Sequence, residues 1–257
     1  MYKEHPAFVK PQGKKIKIWR YMDFTKFVSL LEKNELFFAR ADKLGDPFEG
    51  SYPKENVQQR AINHKQMMAQ LPSHLHRFFQ GRDQALSQFL RNLKNFIFIN
   101  SWHESQHESA AMWRLYLKSN EGIAIQSTFG RLKDCFKQGT PDIYIGEVHY
   151  RDYLTERIPG SNFFAPFLHK RKSFEHEKEL RALVLEYTRT KDGLPNLSKP
   201  PSSDGIGVPV DLEKLIANIY VAPENPRWFL ELVKSVTRKY GIKKIPVQSA
   251  LDAKPLY

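Results

Sequence analysis

Strand-like runs in this 257-residue chain are separated by segments of uneven length, and that unevenness constrains the fold more than any other feature. The first run, residues 15–21, alternates polar and apolar side chains as a half-buried strand requires. Further runs cover 35–39, 96–102, 122–126, 144–150 and 180–185, with a short one at 247–249. Between the first two, Phe24, Phe27, Val28, Leu30 and Leu31 recur at helical spacing, with Asp23 placed as an N-cap. Residues 109–117 and 226–240 also read as helices, the second closed by Gly241 in the position of a C-cap. Residues 215–221 read as a helix end or a strand. Residues 53–95 are polar, with Leu86, Phe89, Leu90 and Leu93 at helical spacing, and form an expected helical insert broken at Pro72. Residues 188–209, which include Lys199-Pro200-Pro201-Ser202-Ser203-Asp204-Gly205, read as one long loop. A regular parallel α/β sheet would alternate its elements evenly. The expectation is therefore α+β: a single domain over 1–257 with a mixed, mostly antiparallel sheet core, flanking helices and a helical insert.

Composition narrows the function classes. The chain has 40 Lys+Arg against 28 Asp+Glu, a formal charge of +12, which favours an acidic macromolecular partner such as DNA or RNA. Part of that charge, Lys10, Lys14, Lys15, Lys17 and Arg20, clusters at the first strand. Hydrophobic residues make up 41%, enough apolar surface to fold without a partner. A lone cysteine, Cys135, excludes an internal disulfide or a zinc knuckle and is expected to be buried filler. No run approaches the roughly 18 apolar residues of a membrane span. The segment Met1-Tyr2-Lys3-Glu4-His5 lacks an apolar leader. A cytoplasmic protein is the expectation.

Glycine-rich phosphate loops, His-Glu-x-x-His and Gly-x-Ser-x-Gly are absent from the sequence. Three clusters remain. Gly45-Asp46-Pro47-Phe48-Glu49-Gly50 places two carboxylates, Asp46 and Glu49, in a tight loop after a strand; turn chemistry accounts for it as readily as function. Ser101-Trp102-His103-Glu104 is followed by Glu108 and a helix whose Met112, Trp113 and Tyr116 share or adjoin one face. That stripe is either core or a ligand platform. In the run from His169 to Arg181, a continuous strand would put Glu177, Glu179 and Arg181 on one face. Two same-face carboxylates repel unless cations balance them, and Lys170, Lys172 and Arg181 are close enough in sequence to do so. The pair suits a ribose-binding carboxylate and a structural salt-bridge network equally.

The chain resembles the bacterial domain-of-unknown-function 2971 family over nearly its whole length, with 53–95 least typical. The resemblance rests on Trp19-Arg20-Tyr21, on Asp46 to Glu49, and on Trp102 followed by Met112 to Tyr116 and Gly122 to Ile125. It continues through Lys170, Phe174, Glu177, Glu179 and Arg181, then Val221-Ala222-Pro223, Trp228-Phe229 and Ser249. More distantly, the order of elements is similar to the ADP-ribosyltransferase superfamily. That likeness implies NAD as co-substrate. It also implies Glu179 or Glu177 as the catalytic carboxylate. Arg20 would lie on a ribose or phosphate, and Trp102, Trp113 and Tyr116 would form the aromatic surface for nicotinamide. Lys170 and Arg181 would bind nearby, and Tyr21, Asp46, Glu49 and Glu108 complete the expected pocket. The chain departs from the superfamily in having Arg-Tyr-Met where a His-x-Thr pattern is usual.

The leading functional expectation is an ADP-ribosyltransferase-like enzyme that modifies a nucleic acid or protein, in the manner of a toxin or anti-phage effector. One alternative is a metal-dependent nuclease using Asp46, Glu49, Glu177 and Glu179, although no Asp…Glu-x-Lys spacing occurs. The other is a non-catalytic nucleic-acid-binding module.

Overall fold

A computed structural model describes residues 1–117, 121–159, 162–193 and 195–253. Its centre is a nine-stranded, mostly antiparallel sheet. In chain order the strands are β1 (Lys17–Asp23), β2 (Glu35–Arg40), β3 (Ile97–Glu104), β4 (Gly122–Thr128) and β5 (Ile143–Glu147). They continue as β6 (Glu179–Leu185), β7 (Gly205–Pro209), β8 (Asn218–Val221) and β9 (Val247–Gln248). Only β8 and β9 run parallel to each other within it. The longer helices are α1 (Phe24–Lys33), α2 (Lys54–Gln70), α3 (Arg82–Leu93), α4 (Ala110–Tyr116) and α5 (Arg227–Lys239). This is the α+β architecture with a mixed sheet and helical insert that the uneven spacing implies.

Helix α1 buries Phe27, Leu30 and Leu31, one stripe at i, i+3, i+4 spacing, and ends at Asn34 in the left-handed conformation (φ 53°). Helix α5 buries Phe229, Val233 and Thr237 by the same logic. Both pack on one sheet face, where Ile18, Met22, Phe98, Trp102, Leu180, Ala182 and Val184 form the main core. Cys135 lies in that core and donates its S–H to the Leu132 carbonyl. In the insert, α2 buries no residue and α3 buries only Leu93, so the insert contributes little to the core.

Two of the expected elements differ in the structure. The run at 144–150 breaks after Glu147, and His149–Arg151 instead pairs with His169–Arg171 in a separate two-stranded ribbon. The expected loop at 188–209 ends in β7, which pairs with β2 at the sheet edge. Its Gly-Ile-Gly-Val-Pro sequence hides the strand, because glycine and proline are depleted in strands generally. Gly205 is required here: a Cβ on it would fall 2.1 Å from the Phe37 ring and 2.7 Å from the Phe38 carbonyl oxygen, whereas one on Gly207 would meet only the end of the Glu35 side chain, which can swing aside. Residues 215–221 resolve into a helical turn, Leu212–Leu215, and then β8.

The pairing of β3 positions everything functional. One edge of β3 is covered from Ile97 to His103 by β6. The other edge is divided: β2 pairs with Phe98 and Ile99, and β1 pairs with His103 and Glu104. Between those pairings β1 and β2 diverge, and the sheet forks. Backbone groups in such a gap still need partners. Arg20 supplies one, donating from Nη1 to the Ser101 carbonyl at 2.8 Å. Asn100 supplies another, donating to the Phe37 carbonyl at 2.8 Å while its oxygen accepts from the Trp102 indole at 2.7 Å. Replacing Asn100 by Ala strands two buried polar groups at once. The expected result is a loss of about 3 kcal/mol in urea-unfolding stability, well above an ordinary single-site change.

Candidate active site

Strand alternation builds one wall. On the face away from α1 and α5, β3 presents Ile97, Ile99, Ser101 and His103, and β6 sets Leu185, Leu183, Arg181 and Glu179 opposite them. The apolar end of this face is covered by Phe8, Phe164, Phe167 and Leu168. The polar end opens into a cavity of about 840 Å³ that passes through the fork between β1 and β2. Arg20, Tyr21, Ser101, His103 and Tyr116 line it on one side; Lys170, Phe174, Glu177, Glu179 and Arg181 line it on the other. The 45–50 loop adds Asp46 and Glu49.

Arg181 is fully buried, and all five of its N–H donors are used. Nε and Nη2 reach Glu179 at 2.7 and 3.2 Å. Nη1 and Nη2 reach Glu49 at 2.6 and 2.9 Å, and Nη1 also reaches the Phe167 carbonyl at 2.6 Å. A buried guanidinium without such partners would cost several kcal/mol. Glu49 can approach because Gly50 takes φ +68° and has no Cβ, which would fall 2.4 Å from the Phe167 ring. Asp46 is tied into the same loop by Arg171, at 2.8 Å.

The two carboxylates on Arg181 differ. Burial raises Glu49 above the ordinary carboxylate value, outweighing its share of Arg181. Burial opposes ionisation of Glu179 too, but Arg181, Lys170 and a hydrogen bond from Ser101 overcome it and hold Glu179 at about 2. Lys170 bridges the pair, with Nζ 2.5 Å from Glu177 and 3.2 Å from Glu179. Glu177 is not on the strand, contrary to the alternation expected from sequence. It ends a 3-10 turn (Lys172–Glu177), and Lys178 then takes the left-handed conformation, φ 39° and ψ 60°, before β6 begins. For a non-glycine residue that conformation costs about 1–2 kcal/mol. It lets two consecutive-but-one glutamates meet one lysine from different elements. Only one oxygen of Glu177 is engaged among the described residues.

Arg20 is the counterpart across the cavity. Its one recorded partner is the Ser101 carbonyl, and it has no carboxylate partner among the described residues. Burial lowers it to about 10, partly offset by Tyr116, so it is charged at neutral pH. Desolvation, then Glu177 and Glu179, pushes the Tyr116 phenol up. Tyr116 itself is 42% exposed at the cavity wall. Phe174 lies under the Lys170 ammonium, 4.9 Å from ring centre to Nζ.

Several residues expected in the pocket are elsewhere. Trp113 and Glu108 lie outside the lining. Trp113 is buried edge-on against Tyr21, 4.9 Å between ring centres, and its indole donates to Glu108. Glu108 also accepts from the Ser249 hydroxyl and the Ala250 amide, so it fastens the 249–252 turn to α4. Trp102 borders the cavity but is a core residue, 1% exposed, and offers no free ring face. Of the three tryptophan and tyrosine candidates for an aromatic surface, Tyr116 alone is accessible. Lys10, Lys14, Lys15 and Lys17 do not line the cavity; Lys10 is paired with Glu4 instead. Sequence reasoning missed Ser101 and His103. The signal was present, since they alternate on β3 as Glu179 and Arg181 alternate on β6. Among the described residues no group of His, Cys, Asp and Glu is arranged to hold a metal ion.

No family model and no curated protein matches the chain. Among solved structures it is similar to Thermus sp. 2.9 DarT in complex with ADP-ribosylated ssDNA. The two are 12% identical, with a TM-score of 0.39 and coverage of 94% of this chain and 95% of that one. At that score the likeness bears no weight for activity. No helix among the described residues is long and apolar enough to cross a membrane.

Removing the guanidinium in Arg181→Met leaves two buried carboxylates without their counter-charge. An expected loss of about 3–5 kcal/mol is measurable by thermal or urea denaturation. Glu179 gives a pH signature. Its folded-state value is depressed, so its contribution is fully present above the unfolded value of about 4.3 and is lost as pH falls towards 2. Glu179→Gln should flatten the stability profile in that window, and an unchanged profile would contradict the assignment.

Proposed function

We propose that this protein is an NAD-consuming ADP-ribosyltransferase whose active site is the cavity at the fork. One observation carries the reading: a single cavity holds an arginine without a carboxylate partner among the described residues and, across from it, a glutamate whose second oxygen is likewise unengaged and whose first is held by Lys170. The two ends suit the two ends of a dinucleotide. Arg20 suits the pyrophosphate, because a desolvated guanidinium binds phosphate bidentately. Glu177 suits a hydroxyl of the nicotinamide ribose and the positive charge that grows on that ribose as the glycosidic bond breaks. Tyr116 and Phe174 supply the aromatic surface beside it. Glu179, saturated by Arg181, Lys170 and Ser101, acts as a fixed charge that positions Lys170 and thereby Glu177.

The acceptor is a nucleic acid or a protein, with the formal charge of +12 favouring a polyanion. A transferase of this kind fits a cytoplasmic toxin or anti-phage effector. A metal-dependent nuclease is the poorer reading, because Glu49 and Glu179 already have their oxygens on Arg181 and Lys170, leaving few lone pairs for a cation. The non-catalytic binding module does not account for two glutamates brought onto one lysine by a left-handed Lys178 at a cavity wall.

The test is release of nicotinamide from labelled NAD, followed with DNA, RNA or protein present and with EDTA added. Turnover is expected to survive EDTA. Glu177→Gln should lower it about 100-fold or more with little change in NAD affinity, whereas Arg20→Met should mainly weaken NAD binding. If the wild-type protein neither turns over NAD nor binds it in calorimetry, the proposal is ruled out.

A further inference from the structure

We infer that His103 is the proton acceptor for the nucleophile that attacks the ribose. The substrate part of this inference rests on the NAD reading above; the base itself rests on geometry of its own.

His103 is 6% exposed and lies on β3, opposite Glu179 on β6 and opposite Trp19 on β1. Its Nδ1 is 2.6 Å from the backbone carbonyl of Glu177. A carbonyl oxygen only accepts, so Nδ1 carries the hydrogen and Nε2 carries a lone pair. Nε2 has no hydrogen-bond partner among the described residues, and the ring lines the cavity. The residue as a whole is almost wholly buried, and a ring nitrogen left without a partner at a cavity wall is placed to accept from a bound molecule. The same hydrogen bond fixes the ring against Glu177, the residue assigned to the ribose, so base and ribose are held by one turn.

Glu177 is taken up by the ribose in the reading above, and three other titratable groups near the ring are unsuited to take a proton. Glu179 is held ionised, with its oxygens on Arg181, Lys170 and Ser101. The Tyr116 phenol is pushed up and stays protonated at neutral pH. Tyr21, whose ring centre is 6.3 Å from that of His103, is raised to about 12, and its oxygen already accepts from the Ser109 amide. Burial lowers His103 first; Lys178 and His176 lower it further, while the Glu177 carbonyl and carboxylate work the other way. The net effect keeps the imidazole neutral at pH 7.

The step balances without another reagent. The acceptor's O–H or N–H oxygen or nitrogen bonds to the ribose carbon that bears nicotinamide. The carbon–nitrogen glycosidic bond breaks, and its electron pair stays on the ring nitrogen of neutral nicotinamide. The acceptor's proton passes to Nε2, leaving an imidazolium that returns it to solvent.

Two variants separate this role from a purely structural one. In His103→Asn the side-chain amide can still donate to the Glu177 carbonyl but offers no imidazole lone pair. The expected result is a folded protein that binds NAD within about threefold of wild type. Its transfer rate should fall about 100-fold or more, and the acid limb of its pH–rate profile should vanish. His103→Ala should regain transfer on addition of free imidazole. Transfer retained in His103→Asn, or lost from His103→Ala without rescue, would show that the ring only clamps Glu177 and would overturn the inference. The base has a readout that needs no NAD. Long-range proton–nitrogen correlation spectra of the wild-type protein should show Nε2 unprotonated at pH 7. An imidazolium, or a hydrogen on Nε2, would sink the role even if NAD turnover is found. Absence of NAD turnover together with an unprotonated Nε2 would instead fault the substrate and leave the base standing.

Discussion

A guanidinium taken wholly out of water must have every donor met, and the buried Arg181 imposes that demand on three separate stretches of chain. Its own strand supplies Glu179, the 45–50 loop supplies Glu49, and the segment before residue 169 supplies the Phe167 carbonyl. Lys170 joins through Glu179, which Arg181 fixes, and carries Glu177 with it. The loop, the 3-10 turn and the strand entry therefore form one electrostatic unit. Three carboxylates, Glu49, Glu177 and Glu179, face two cations in that unit, Arg181 and Lys170. Burial, with the Glu179 charge added to it, raises Glu49, while Glu179, with more donors, is lowered.

The cavity has a different origin, in strand pairing. Two strands share a single edge of β3, and neither covers its middle. What fills the gap is polar: Arg20 from one side and Asn100 from the other. Side chains replace a missing ladder there, and the binding surface forms because the replacement is incomplete. The charged unit and the divided edge meet at Ser101, whose carbonyl receives Arg20 and whose hydroxyl supports Glu179.

The sheet and its helices were largely legible, because residues such as Phe27, Leu30 and Leu31 or Phe229 and Val233 carry their periodicity in plain view. β7 was not, since Gly205 makes room for the Phe37 ring and the Phe38 carbonyl, a tertiary reason with no local signature. The glutamate pair was read at the right positions with the wrong backbone. Alternation placed Glu177 on the strand, and only the left-handed turn at Lys178, which no propensity announces, takes it off. Trp113 and Glu108 show the reverse limit. Their spacing on and before α4 is the same whether they face a ligand or a neighbouring turn, and contact with Tyr21 and Ser249 decides it. His103 was visible in the sequence but not its partner, because a hydrogen bond to a backbone carbonyl 74 residues away leaves no trace in residue type.

The fork also sets how the molecule bears load. A continuous sheet resists bending across its strands because each ladder bond couples neighbours, and here that coupling is interrupted for the length of the gap. β1, β4, β8 and β9 make one leaf, and β2 and β7 make another, with β3 as their common spine. A molecule entering between the leaves works as a wedge into an existing seam. It has no strand pairing to break, so the energetic cost of opening the sheet was met when the chain folded.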